Sequence, residues 1–257
     1  MSEEVILTDL KEGVLTVTLN RPKANAFNTE MCQTLTKVFR DAGRNVDARV
    51  VLLTGAGKIF SAGQDVTEFG QGEHISFRAH LQRTYNPLII EMRRLEKPII
   101  GAINGAVAGA ALGVALACDL RIAADNARFV VGFLGIGLAP DSAVSLILPK
   151  LIGLARATEF AFTNQPISAE QALAWGLINR VAPADELPAA ASAWAAELAK
   201  GPVHAMGFTK RDFNKAILPN LEEMLDYEAH IQEIAGIGAD HKEGLAAFRE
   251  KREAKYT

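Results

Sequence analysis

Two cysteines in 257 residues, Cys32 and Cys118, with no Cys-x-x-Cys spacing, leave no material for a disulfide framework. Histidine is also sparse. His74, His80, His204, His230 and His241 are scattered and make no zinc-ligand pattern, so no metal is expected. Positive charge is short as well: 27 Lys and Arg against 30 Asp and Glu give a net charge of -3. Without a basic block or basic residues interleaved with aromatics, the usual footprint of a nucleic-acid binder is missing. No apolar targeting segment follows Met1-Ser-Glu-Glu4. Neither a leader nor a membrane partner is therefore expected, and a reducing cytoplasm is the expected compartment. What is plentiful is apolar substance, 49% of the chain against 22% charged. That suffices for a large core in one domain, or in a domain with an appendage.

Two β-rich runs open the chain, Val5 to Leu10 and Val14 to Leu19, and Lys11-Glu-Gly13 between them is hairpin chemistry. A polar loop from Asn20 ends in Asn28, the expected N-cap of a helix that buries Met31, Leu35, Val38 and Phe39. Arg49 to Thr54 and Pro98 to Ile103 read as strands buried on both faces, with Asp119 to Ala124 and Phe129 to Val131 as two more. Between them the spacing of Leu81, Tyr85, Leu88, Ile89 and Met92 predicts a helix from about Ser76 to Leu95. Alternating strands and helices indicate an α/β arrangement. From Ser142 the pattern turns helical. Pro183 to Pro188 is the best boundary, dividing an α/β core (1–186) from a helical C-terminal region (187–257).

The stretch from Asn104 to Asp141 organises the chain. Between Gly105 and Ala117 no residue is charged or aromatic, and only Val107 and Val114 are β-branched. A neighbour can therefore approach the main chain closely. A helix starting near Gly109 has first N–H groups without intrahelical partners, a place for an oxygen carrying negative charge if the tip lines a cavity. A tightly packed core helix is the alternative. Gly55 to Asp65, a glycine-punctuated loop directly after a buried strand, is either a second place where backbone is used or a plain turn. Asp141, after Pro140 and before Ser142, is either an N-cap or a chemical group.

Six segments, in order, give the chain a resemblance to the crotonase, or enoyl-CoA hydratase/isomerase, superfamily over essentially its whole length. They are Leu19 to Asn28, Phe60 to Asp65, Lys97 to Gly105, Ala117 to Ala124, Ile167 to Ala172 with Gly176 to Val181, and Glu243 to Lys251. The resemblance implies a spiral of ββα turns with a C-terminal helical trimerisation region, assembled as a homotrimer or a dimer of trimers. It implies action on acyl-CoA thioesters, with coenzyme A as part of the substrate and no separate cofactor. It also implies an oxyanion hole of two backbone N–H groups, which by motif position are those of Gln64 and Ala110. For the CoA moiety it points to Arg21, Lys23, Asn25, Ala26, Ser61, Ala62 and Asp65. Phe248 and Lys251 match positions that reach a neighbouring subunit's nucleotide in relatives.

Hydratases of this superfamily use two glutamates. The matching positions here are Gly113 and Phe133, and neither moves a proton. The remaining acid is Asp141, at the position where dienoyl-CoA isomerases, the ring-opening isomerases of phenylacetate degradation and the 4-chlorobenzoyl-CoA dehalogenase carry a reactive aspartate. Burial beside Phe133, Leu134, Leu138 and Val144 is expected to raise its pKa from about 3.9 into a useful range. A single carboxyl can take a proton from one carbon and deliver it to another on the same face. The resemblance therefore implies an enoyl-CoA isomerase of fatty or aromatic acid degradation. An enoyl-CoA hydratase without the usual pair, a dehalogenase or hydrolase using a histidine such as His74 or His80, and a catalytically silent acyl-CoA-binding oligomer are the alternatives.

Overall fold

The computed structural model describes residues 4–21, 23–68 and 76–256; His74 lies outside them. β1 (Ile6–Lys11) and β2 (Val14–Leu19) pair antiparallel through Glu12 and Gly13, whose φ values of 50° and 82° suit a tight hairpin. The sheet then continues in parallel through β3 (Val50–Gly55), β4 (Ile99–Ile103), β6 (Leu120–Ala124) and β9 (Arg180–Ala182). β4 is buried along its whole length and β3 at all but Thr54, as apolar runs in a covered parallel sheet should be.

After each central strand the chain crosses to a second layer before its helix. The crossing makes bridges at Phe27 with Gln64 and at Ser61 with Val107, and then the short strands β5 (Val107–Ala108), β7 (Arg128–Val130) and β8 (Ile167–Ser168). Strand, crossing and helix recur as the turns of a spiral. α1 (Thr29–Arg44) starts as its sequence predicts: Asn28 accepts a hydrogen bond from Met31 N at 2.9 Å, and Met31, Leu35 and Phe39 are buried. The expected single helix over 76–95 is instead α2 (Phe77–Arg83) and α3 (Tyr85–Arg94). They are broken at Thr84, where the backbone turns to φ -122°, ψ -85° and the hydroxyl bonds to the His80 carbonyl.

α4 (Ala110–Ala117) begins within a residue of the expected point and is wholly buried, with Gly109 as its N-cap. α5 (Val144–Ile152), α6 (Leu154–Thr163), α7 (Ala169–Ala174) and α8 (Leu187–Lys200) follow, then α9 (Val203–Ile217), α10 (Leu221–Gly236) and α11 (Ala239–Glu250). α8, which the sequence assigns to the C-terminal region, lies across β2, β3, β4 and β6, so the chain leaves the sheet only after Lys200. No described helix is long and apolar enough to cross a membrane.

Candidate active site

The first half of the site is made of backbone. Phe27 N donates to Gly63 O and Asp65 N donates to Phe27 O, a parallel ladder that turns the N–H of Gln64 to the opposite side. Gly63 has φ +92°, and a Cβ there would lie 2.7 Å from Ala108 O and 3.7 Å from Ala110 N. Only glycine brings this loop against the start of α4. Ala110 is the first residue of that helix, so its N–H has no intrahelical partner and sits at the positive end of the helix dipole. Neither amide donates to a described residue, and Gln64 and Ala110 line the same cavity of about 320 Å³.

The loop before Gly63 is held from two sides. Asn25 Nδ2 donates to Ala56 O and Ile59 O, and Asn104 Nδ2 donates to the carbonyls of Gly55, Gly57 and Ile59. Ser61, fully buried, donates to Asn25 O at 2.7 Å and accepts from Gly63 N. The side chains of Asn25 and Ser61, predicted to meet CoA, thus serve the loop. Arg21 is tied to Asp65 by a 2.8 Å ion pair and to the Ala26 carbonyl. Lys23 is exposed at φ 76°, and Ala62 lines the cavity.

The second half of the site is a carboxyl. Asp141 lines the cavity and is only 6% exposed. It is not the N-cap of α5, which is Ala143, and both its carboxyl oxygens accept from side chains instead of from the first amides of that helix. Ser142 Oγ donates to its Oδ1 and Gln232 Nε2 to its Oδ2, both at 2.7 Å. Burial pushes Asp141 up to about 6, with those two hydrogen bonds holding back part of the rise. Phe133 and Leu138 form the apolar wall beside it, as the sequence suggests, and Val144 is buried below.

The cap that Asp141 does not supply comes from α10. Glu228, 3% exposed, accepts from Ala143 N at 2.8 Å, from Ser145 N at 3.1 Å and from Ser145 Oγ. Its carboxyl thus clamps a turn in which two residues with side chains, Ser142 and Ala143, hold φ of 55° and 63°. Burial pushes Glu228 up to about 7, against its hydrogen bonds and reinforced by the charge of Asp141. Sequence reasoning missed both Glu228 and Gln232. A signal existed: they share the buried face of α10 with Leu225 and Ala229, an unusual place for a carboxyl.

Gly113 packs directly against the Asp141 turn. A Cβ at Gly113 would fall 2.4 Å from Ser142 O and 2.6 Å from Ser142 Cβ. The Asp141 turn occupies the space that a side chain at this position would need, and Phe133 contributes an apolar ring to the cavity wall. Opposite, the Gln64 side chain is fixed. Tyr85 OH donates to its Oε1 at 2.8 Å, His80 Nε2 lies 3.1 Å from the same oxygen, and its Nε2 donates to Glu68. His80 lines the cavity, and burial lowers its pKa, which favours the neutral ring.

The C-terminal helices close the cavity of their own chain. A Cβ on Gly137 would meet the Asp240 backbone at 2.4 Å, His241 Nδ1 lies 2.8 Å from Ile136 O, and Tyr256 OH donates to Leu134 O and Gly135 O. Phe248 lines this cavity, whereas Lys251, the other residue predicted to reach a nucleotide, is exposed at the end of α11. No cluster of metal-ligating side chains occurs among the described residues.

The sequence profile of the enoyl-CoA hydratase/isomerase family matches residues 9–257. The chain is 40% identical to the 1,2-epoxyphenylacetyl-CoA isomerase of Escherichia coli K12, over 99% of this chain and 98% of that protein. It is 34% identical to a 4-chlorobenzoyl coenzyme A dehalogenase of an Arthrobacter species, over 97% of this chain and 92% of the relative. A crystal structure of an enoyl-CoA hydratase from Mycobacterium avium subsp. paratuberculosis K-10 superposes with a TM-score of 0.90 at 31% identity, covering 99% of both chains. A spiral of strand, crossing and helix and this similarity end to end lead to one conclusion: the chain belongs to the enoyl-CoA hydratase/isomerase family, with the crotonase fold.

Proposed function

We propose that this chain is an enoyl-CoA isomerase that moves a double bond along an acyl-CoA thioester with Asp141 as its only acid/base. The observation that carries the reading is Asp141, the one carboxyl among the described residues that line the cavity, buried, pushed up to about 6, and sharing that cavity with Gln64 and Ala110. The thioester oxygen accepts from those two N–H groups, each worth about 3 kcal/mol to the developing enolate. Asp141 removes a proton from C2 of a 3-enoyl-CoA, the charge passes to the thioester oxygen as a dienolate, and the carboxylic acid returns the proton to C4 to leave the conjugated 2-enoyl-CoA. No cofactor beyond the CoA of the substrate enters. Phe133, Leu138, Phe77 and Leu81 make the acyl wall apolar, which suits a hydrocarbon or aromatic acyl group. Hydration by a glutamate pair is disfavoured, since Gly113 and Phe133 carry no acid and Glu228 does not line the cavity.

The reading includes assembly of the chain as a homotrimer or a dimer of trimers. Phe213 and Ile217, 65% and 51% exposed on α9, edge an apolar cavity of about 680 Å³ beside Leu151 and Met206, a face suited to burial against another copy. Sedimentation of the purified protein measures this.

Asp141→Asn removes the titrating group at nearly constant shape. Conversion of a 3-enoyl-CoA, followed by the absorbance of the conjugated thioester, should fall by about 10³-fold while acyl-CoA binding persists. Retained turnover would remove Asp141 from the chemistry. One observation favours a second reading: His80 lines the cavity and is biased toward its neutral form, so Asp141 could attack an aryl carbon bearing halide while His80 activates water. Chloride release from 4-chlorobenzoyl-CoA decides for that reading, and its absence decides against it.

A further inference from the structure

Gln232 is 1% exposed, and its Oε1 is the one buried side-chain polar atom without a hydrogen-bond partner among the described residues. Buried amide oxygens are nearly always paired. The other end of the same amide donates to Asp141 Oδ2 at 2.7 Å, and the residue lines the cavity. An amide offers a donor and an acceptor of almost equal shape, related by a half-turn about the last side-chain bond.

A carboxyl that shuttles a proton alternates between two forms with opposite needs. As the anion it only accepts; as the acid, one oxygen donates. A fixed donor such as a backbone N–H suits the first form and, in the second, keeps the proton off the oxygen it bonds. We propose that Gln232 is the positioning partner of Asp141: its Nε2 donates to the carboxylate and, after a half-turn, its Oε1 accepts from the carboxylic acid, so the carboxyl keeps its orientation in both states. The unpaired Oε1 is then the waiting half of the pair. Ser142, whose hydroxyl rotates to donate or accept, adapts in the same way at Oδ1. This inference rests on the role given to Asp141 above.

Among the described residues, the titratable groups that face Asp141 or share its cavity are Glu228 on α10, His80 on α2, whose pKa burial lowers, Tyr85 on α3 and Cys32 on α1. Burial raises the last two and keeps them neutral at physiological pH. Glu228 is pushed up to about 7, so its titration overlaps that of Asp141 and has to be separated from it.

Infrared titration of the whole protein makes that separation. The carboxylic-acid band absent from Asp141→Asn belongs to Asp141, and its midpoint is then followed in Gln232→Met. Loss of a donor to the anion should move the midpoint up by about one pH unit, and the acid limb of kcat/KM should move with it, a shift that a purely packing role does not produce. Gln232→Glu, the same in shape, should move it further, because two adjacent carboxyls share a proton. In the native protein, the downfield NMR signal of the Gln232 side-chain N–H should be lost as Asp141 protonates. A midpoint unchanged in both variants, or a signal that persists below it, overturns the proposal. Because the band is read without turnover, this outcome is distinct from failure of the isomerase reading, in which Asp141→Asn retains activity.

Discussion

The two sides of the cavity are built in opposite ways. The amide side is local: Gly63 to Gln64 and Gly109 to Ala110 lie on adjacent crossings of one spiral, and glycine appears wherever backbone must touch backbone. The acid side is assembled at long range. Asp141 sits on a turn with two positive-φ residues that carry side chains, and the turn is held by Glu228 and Gln232 from a helix that begins at Leu221. The difference teaches that the two amides proposed to hold the thioester oxygen are positioned by the fold's own turns. The carboxyl proposed to select the reaction is instead placed by side chains from elsewhere.

The sharpest way to break this division is to restore the missing acid. Gly113→Glu introduces a Cβ 2.4 Å from Ser142 O, so the Asp141 turn must move. Isomerisation should be lost without any gain of hydration, together with about 3 kcal/mol of stability by denaturant unfolding. Hydratase activity in that variant would show that the two acids do not compete for one space. Gly63→Ala attacks the amide side, since it puts a methyl 2.7 Å from Ala108 O at φ +92°. About 2 kcal/mol of stability should be lost, with kcat falling more steeply than KM rises.

Glu228→Gln is gentler. One amide cannot accept at both Ala143 N and Ser145 N, so about 1–2 kcal/mol should be lost, with turnover reduced through Asp141. The smallest effect is a slope. Glu228 and Asp141 are both raised in the folded state, to about 7 and about 6, so the folded protein binds more protons than the unfolded chain in this range. Stability should therefore be fullest below the unfolded pKa values and fall as pH rises from about 4 to 7. Glu228→Gln should flatten the upper part of that fall and leave the part owed to Asp141. Turnover has the opposite trend, rising through about pH 6 as Asp141 ionises to act as base.

The division also marks what the sequence made legible. Local signals held: Asn28 caps α1, the hairpin turns at Glu12 and Gly13, and α4 starts next to Gly109. The positions of Gln64 and Ala110 follow from the motifs, and both residues line one cavity. The break at Thr84 was not legible, because the apolar face of Leu81, Tyr85 and Leu88 stays in register across it. Glu228 and Gln232 were missed because their meaning depends on packing against residues 141–145, which no local pattern carries. Asn25 and Ser61 are polar residues beside a ligand motif, and their internal role emerges only once Ala56, Ile59 and Gly63 are in place around them.

The claim at the centre, that one carboxyl carries the proton between two carbons of a bound thioester, is tested most directly by isotope. A 3-enoyl-CoA deuterated stereospecifically at C2, isomerised in ordinary water, yields a 2-enoyl-CoA whose C4 is read by NMR. The expected result is deuterium retained in part at C4, on the face from which it left. Hydrogen delivered to the opposite face, with no deuterium retained, would contradict it.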